Sequence, residues 1–146
     1  MSKNYKEIKP ISTTSTIEVR YAETDQMGVV HHAVYPIYFE QARVDWLRIM
    51  GMHYQRMEDS GVMLPLNKLT IDYKKPAKFG DILMVKTGLY QLPSATITFD
   101  YEIRNQYEEL LTLGQTVLVF VKQSTGRPMR CPDEIMNLIE NAIPKD

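Results

Sequence analysis

The stretch "PIYFEQARVDWLRIM", residues 36–50, constrains the fold more than any other. At helical spacing Tyr38, Phe39, Ala42, Trp46, Ile49 and Met50 share one broad arc, and Gln41, Asp45 and Arg48 share the opposite one. An apolar arc so wide needs structure wrapped around it. Pro36 suits the first helical turn and Gly51 the exit, which sets both ends. A short second helical piece is expected over residues 53–59, ending at Ser60 and Gly61.

The wrapping is written on either side of the helix. Before it, "TIEVRY" alternates Ile17, Val19 and Tyr21 against Glu18 and Arg20, the period of a half-buried strand. After it come four more strand patterns. "LTIDYK" alternates Leu69, Ile71 and Tyr73 against polar neighbours, "DILMVKTGLY" is a long mixed run, and "TITFDYEIR" alternates without a break. "LLTLGQTVLVFVK" is apolar on both phases, as suits a strand inside a sheet or at a subunit contact. The connections "PAKFGD", "LPS" and "NQYEE" have the length and composition of tight antiparallel turns, and "STGRP" closes the last strand. A terminal helix is expected from "DEIMNLIENAI", with Pro132 and Asp133 as start signals.

Strand, long helix, four strands and a final helix define an α+β class. The expectation is a five-stranded antiparallel sheet curved round a central helix, with an edge that extends through a partner chain. A chain of 146 residues supports one core, so residues 1–146 are taken as a single domain, with 1–15 as a flexible N-terminal segment. No apolar run approaches the roughly 20 residues of a membrane span, and no apolar segment follows the first lysines. A cytoplasmic protein is therefore expected. Cys131 is the only cysteine, which excludes an internal disulfide and points to a buried or idle thiol. The net charge of -1 supplies no field for gathering nucleic acid.

The chemistry-bearing stretch is "ETDQMGVVHHAVYPIYFEQAR", which runs from loop straight into the helix. Asp25 has two readings: a turn cap ahead of Gly28, or a carboxylate that acts as base or nucleophile. The N–H groups at the start of the helix near Tyr35, aided by the macrodipole, form a ready site for an oxyanion. Gly28 lets the loop turn or approach a ligand closely. His31 and His32 are adjacent and lack a third ligand, so no metal is expected. Glu40 and Arg43 lie three apart and read as a self-satisfying charge pair. Lys74, Lys75 and Lys78 make a local basic cluster suited to phosphates, or a plain solvated surface. Methionines near the helix, and Met63 and Met84, read as core filler or as the lining of an adaptable pocket.

These residues carry a resemblance. "VRYAETDQMGVVHHAVYPIYFEQARVDWLR", followed by "YKKPAKFGD" and "STGRP" in order, resembles the hot-dog-fold acyl-CoA thioesterases of the 4-hydroxybenzoyl-CoA thioesterase type, over nearly the whole chain. The resemblance implies a hot-dog fold, a homodimer with sheets joined edge to edge or a dimer of dimers, and hydrolysis of an acyl-CoA without a cofactor. It assigns catalysis to Asp25 and polarisation of the thioester carbonyl to the amide of His32. Gly28, His31, Tyr35, Glu40 and the three lysines would surround the substrate, and Glu40 is second choice to Asp25 for the reacting carboxylate, because a related branch of hot-dog thioesterases carries its catalytic glutamate on this helix. The family often has an aromatic residue where His31 stands, which bears on pocket shape. A thioesterase acting on acyl carrier protein and a non-catalytic acyl-CoA-binding module are the alternatives.

Overall fold

The computed structural model describes residues 6–145. In chain order they form β1 (Glu7–Glu18), a 3-10 turn (Tyr21–Glu23), α1 (Tyr35–Ile49), α2 (Tyr54–Asp59), β2 (Val62–Met63) and β3 (Leu66–Tyr73). There follow β4 (Ile82–Gln91), β5 (Thr96–Arg104), β6 (Leu110–Val119), β7 (Val121–Lys122), β8 (Arg127–Pro128) and α3 (Asp133–Ala142). Five strands make an antiparallel sheet in the order β1-β4-β5-β6-β3, and β2, β7 and β8 make a second, small one. The small sheet has no counterpart in the sequence reading, because two-residue strands leave no period to detect.

β5 is the middle of the main sheet, and its alternation is complete: Ile97, Phe99, Tyr101 and Ile103 are buried and their neighbours half-buried. Helix α1 packs on that inner face through Tyr38, Phe39, Ala42 and Trp46, all buried. The Trp46 ring meets Phe99 edge-on at 5.0 Å, and its Nε1–H donates to the Ile11 carbonyl at 2.9 Å. Phe39 stacks on Tyr101 at 4.4 Å and lies against Gly114, where a Cβ would come within 2.3 Å of the ring. Gly114 thus allows the helix its close approach to the sheet. Fully burying each of these large apolar side chains contributes about 1.5–3 kcal/mol. The arc is narrower than expected at its end, since Ile49 is 60% exposed.

The N-terminal segment departs from the expectation. Residues 7–15, read as flexible, belong to β1, which pairs with β4 from Glu7 opposite Gln91 to Glu18 opposite Ile82. Tertiary contacts override the weak local pattern: Ile11, Ser15 and Ile17 face the core, and the Ser15 hydroxyl donates to Asp45 at 2.7 Å. Residues 1–5 lie outside the described residues. Pro10 sits where the register shifts on this edge strand, a position that needs no ladder donor. Tyr21 leaves the strand for the 3-10 turn and is exposed.

On the opposite edge, β3 keeps its apolar alternation but not its burial. Leu66, Leu69 and Tyr73 are all exposed in the single chain. β6 lies inside the sheet, as expected, although its outward Leu113, Val117 and Val119 are half-buried rather than covered. In α3 Ile135 and Ile139 are buried against the core.

Candidate active site

Residues 19–34 carry the chain from β1 to α1, and their backbone forms a small two-legged ladder. Glu23 O accepts from His31 N at 3.0 Å, Thr24 bridges Val30, and Asp25 N donates to Val29 O at 2.8 Å. The turn at its tip follows type I preferences, with Asp25 first and Gly28 fourth. Gly28 has φ +77, and a Cβ there would touch nothing within 4 Å. Left-handed backbone, not close approach, is what requires glycine at this point. The returning leg is clipped to the loop before β4: Val30 N donates to Ala77 O at 2.9 Å and Phe79 N to Gly28 O at 3.1 Å.

Asp25 is exposed, and its Oδ1 accepts from Met27 N at 2.8 Å and, more loosely, from Val29 N at 3.4 Å. The turn-capping job is therefore real. Oδ2 has no donor among the described residues. At the other end of the loop His31 and His32 are exposed, with rings stacked at 4.2 Å instead of pointing apart. The Ala33 N–H donates to His31 Nδ1 at 3.1 Å, so that nitrogen acts as an acceptor. The carbonyl of His32 accepts from the Tyr73 hydroxyl at 2.8 Å. No acceptor for the main-chain N–H of His32 or of Tyr35 occurs among the described residues. Nor does any hydrogen bond or ion pair join Asp25 to either histidine there.

Tyr35 is buried and structural in its contacts. Its hydroxyl accepts from Ala77 N at 3.2 Å, and its ring meets Tyr38 and Tyr73 edge-on. Burial raises its pKa above the ordinary 10.0, chiefly by desolvating the phenolate. Val34, which precedes helix α1, gives it no side-chain cap. Its start is thus held by the aromatic cluster and by Tyr73, not by a capping residue.

Two residues that sequence reasoning passed over organise this loop. Tyr73 was read only as one beat of a strand alternation. Glu23 is 9% exposed and receives Arg20 N, the Arg20 guanidinium and the Tyr38 hydroxyl. Burial alone would raise its pKa, but the Arg20 amide, the Tyr38 hydroxyl and the Arg20 guanidinium together hold it below 4.5. An acid immediately before "TD", between Arg20 and a helix that presents Tyr38, was the available signal.

One charge expectation is corrected. Glu40 and Arg43 do not pair: Glu40 is exposed, while Arg43 is buried and donates to the Tyr101 hydroxyl at 3.1 Å. The helix turns the two side chains to different faces. The basic cluster is also partly neutralised, because Lys74 pairs with Asp72 at 2.8 Å and Lys75 with Glu109 at 2.9 Å. Lys78 bridges Val29 through its backbone and lines a hollow with Lys75, Asp81 and Tyr107 beside the loop. Cys131 is buried, which together with Asp133 pushes its thiol up to about 12. Among the described residues no group of three or more His, Cys, Asp or Glu could hold a metal ion. No described helix is long and apolar enough to cross a membrane.

A five-stranded antiparallel sheet closed over one long helix, with a polar loop at the helix start, is the hot-dog architecture. Residues 19–139 match the thioesterase-like superfamily, and the chain belongs to that family. It is similar to the putative acyl-CoA thioesterase YneP of Bacillus subtilis, with 35% identity over 78% of this chain and 83% of the relative. The acyl-CoA thioesterase YbgC of Haemophilus influenzae is 33% identical over 82% of this chain and 88% of its own. Among solved structures, DHNA-CoA thioesterase from Staphylococcus aureus superposes with a TM-score of 0.82 at 36% identity, covering 90% of this chain and 87% of that one. The resemblance read from the sequence is borne out, and by class the protein is a thioester hydrolase.

Proposed function

We propose that this protein hydrolyses an acyl-CoA to the free acid and coenzyme A. A thioester carbonyl needs a group that drives attack and donors that hold the charge gathering on its oxygen. Asp25 supplies the carboxylate, either activating water or attacking the carbonyl to form an acyl-enzyme anhydride that water then cleaves. The N–H of His32, unpartnered among the described residues and with the start of α1 behind it, supplies the donor side. The observation that carries the reading is this pairing on one braced loop: among the described residues, Oδ2 of Asp25 has no donor and the His32 amide no acceptor. His31 and Gly28 shape the rim, and the exposed Glu40 lies further along the same helix.

In one chain the centre is open to solvent, so its chemistry requires cover. A second copy supplies it by joining along β3, whose apolar side chains are uncovered on an open edge. The working unit is then a homodimer, or a dimer of dimers. Lys78, with Lys74 and Lys75 exchanging their present partners, meets the phosphates of coenzyme A.

The test is release of free thiol from a panel of aliphatic and aromatic acyl-CoAs, compared with the same acyl groups on acyl carrier protein. Hydrolysis of at least one acyl-CoA is expected. Binding without release across the panel, at high protein concentration, makes the chain a binding module instead. Light scattering of the wild type and of Leu69→Lys tests the β3 pairing: a dimer or tetramer is expected for the first and monomer for the second.

A further inference from the structure

We infer that Glu23 is the positioning residue of this centre, joining the Asp25 loop to the helix that follows it through one buried carboxylate. The inference rests on the roles of Asp25 and the His32 amide proposed above.

Glu23 touches all three parts that must stay in register. Its Oε1 receives the amide of Arg20 and the hydroxyl of Tyr38, each at 2.9 Å, so one oxygen joins the segment just after β1 to α1. Its Oε2 receives the Arg20 guanidinium at 3.1 and 3.0 Å. Its own carbonyl receives the amide of His31, the residue before His32, at 3.0 Å. Asp25 stands two residues away along the same leg of the ladder. A shift of Glu23 therefore moves the acid and the His31–His32 leg together relative to α1.

A carboxylate is an expensive way to fill space. Burying one is unfavourable unless its oxygens are saturated with donors, and both oxygens of Glu23 are so supplied. The Arg20 guanidinium is largely exposed, so its pairing is screened; the buried link is the one to Tyr38. Simple packing between a turn and a helix would be served by an apolar side chain. What the acid adds is direction, because hydrogen bonds from an amide, a guanidinium and a phenol fix one orientation of the loop. Displacing a reacting group by about 1 Å costs up to roughly a hundredfold in rate.

The test uses Glu23→Gln, Tyr38→Phe and their combination in the full chain, with Asp25→Asn as reference. Turnover is measured per folded molecule, at a temperature where circular dichroism shows each variant fully folded. Both single variants are expected to lose about tenfold or more in kcat while KM stays within about threefold, since positioning acts in the transition state. The double variant is expected to be no worse than the poorer single one, because both remove the same link. A purely structural role leaves kcat per folded molecule unchanged. Near wild-type kcat in both folded single variants, or a rise in KM alone, overturns the inference. Should Glu23→Gln fail to fold, Tyr38→Phe, which removes one hydroxyl, decides the matter. If these variants turn over normally while Asp25→Asn is inactive, the positioning role falls and the proposed function stands. If Asp25→Asn itself turns over normally, both fall.

Discussion

The hydroxyl of Tyr73 donates to the main-chain carbonyl of His32 at 2.8 Å, tying the last residue of the edge strand β3 to the approach of helix α1. The bond spans 41 positions of sequence and joins the exposed edge to the candidate donor site. Any partner strand that orders β3 would thereby also order His32. Removing the hydroxyl in Tyr73→Phe deletes a hydrogen bond with a net worth of about 1 kcal/mol, or roughly fivefold, and leaves the ring contact with Tyr35 in place. Steady-state kinetics should show a fall of about that size in kcat with KM little changed.

Asp25 is the residue on which the proposed chemistry turns. Asp25→Asn keeps an oxygen able to accept from Met27 and Val29, so the turn should persist and the melting temperature should move little. The charge and basicity are lost. Turnover of an accepted acyl-CoA should fall by at least about a hundredfold, the order contributed by a positioned base or nucleophile. Near wild-type turnover would remove this carboxylate from the mechanism.

Packing of α1 on the sheet depends on Gly114. In Gly114→Ala the new methyl would stand 2.3 Å from the Phe39 ring, which is itself stacked on Tyr101 and completely buried. The ring cannot yield without disturbing its neighbours. Overpacking of this kind costs about 1–3 kcal/mol, and denaturant unfolding should show a lowered midpoint with an unchanged slope.

What was legible in the sequence follows from where its signals come from. The complete alternation of β5 and the apolar arc through Tyr38, Phe39, Ala42 and Trp46 are periodic, and periodicity survives folding, so the sheet and its helix could be anticipated. β1 could not be read before Thr16, because its pairing depends on β4 and on a tryptophan bond to Ile11, both distant in sequence. At the site, Asp25, Gly28 and the histidines announce themselves by type. Glu23 and Tyr73 do not, since their roles arise from partners 15 and 41 positions away. The Glu40–Arg43 pairing failed for the converse reason: helical spacing brings two charges within reach, but burial of one and exposure of the other decides whether they meet.

The buried acid also sets a pH dependence of stability. Burial by itself would raise the carboxyl pKa of Glu23, and its donors from Arg20 and Tyr38 reverse that and bring it below the ordinary 4.5. An unfolded chain then binds the proton more readily than the folded one. The stability contributed by this group is fully present above its ordinary value and is lost as pH falls through the lowered folded value. Thermal melts taken between about pH 6 and pH 3 should therefore fall off more steeply for wild type than for Glu23→Gln, which has no proton to gain. Above pH 6 the difference between the two melting temperatures should be constant. Parallel curves across the acid range would show that the ion held between Arg20 and Tyr38 is not what the fold depends on there.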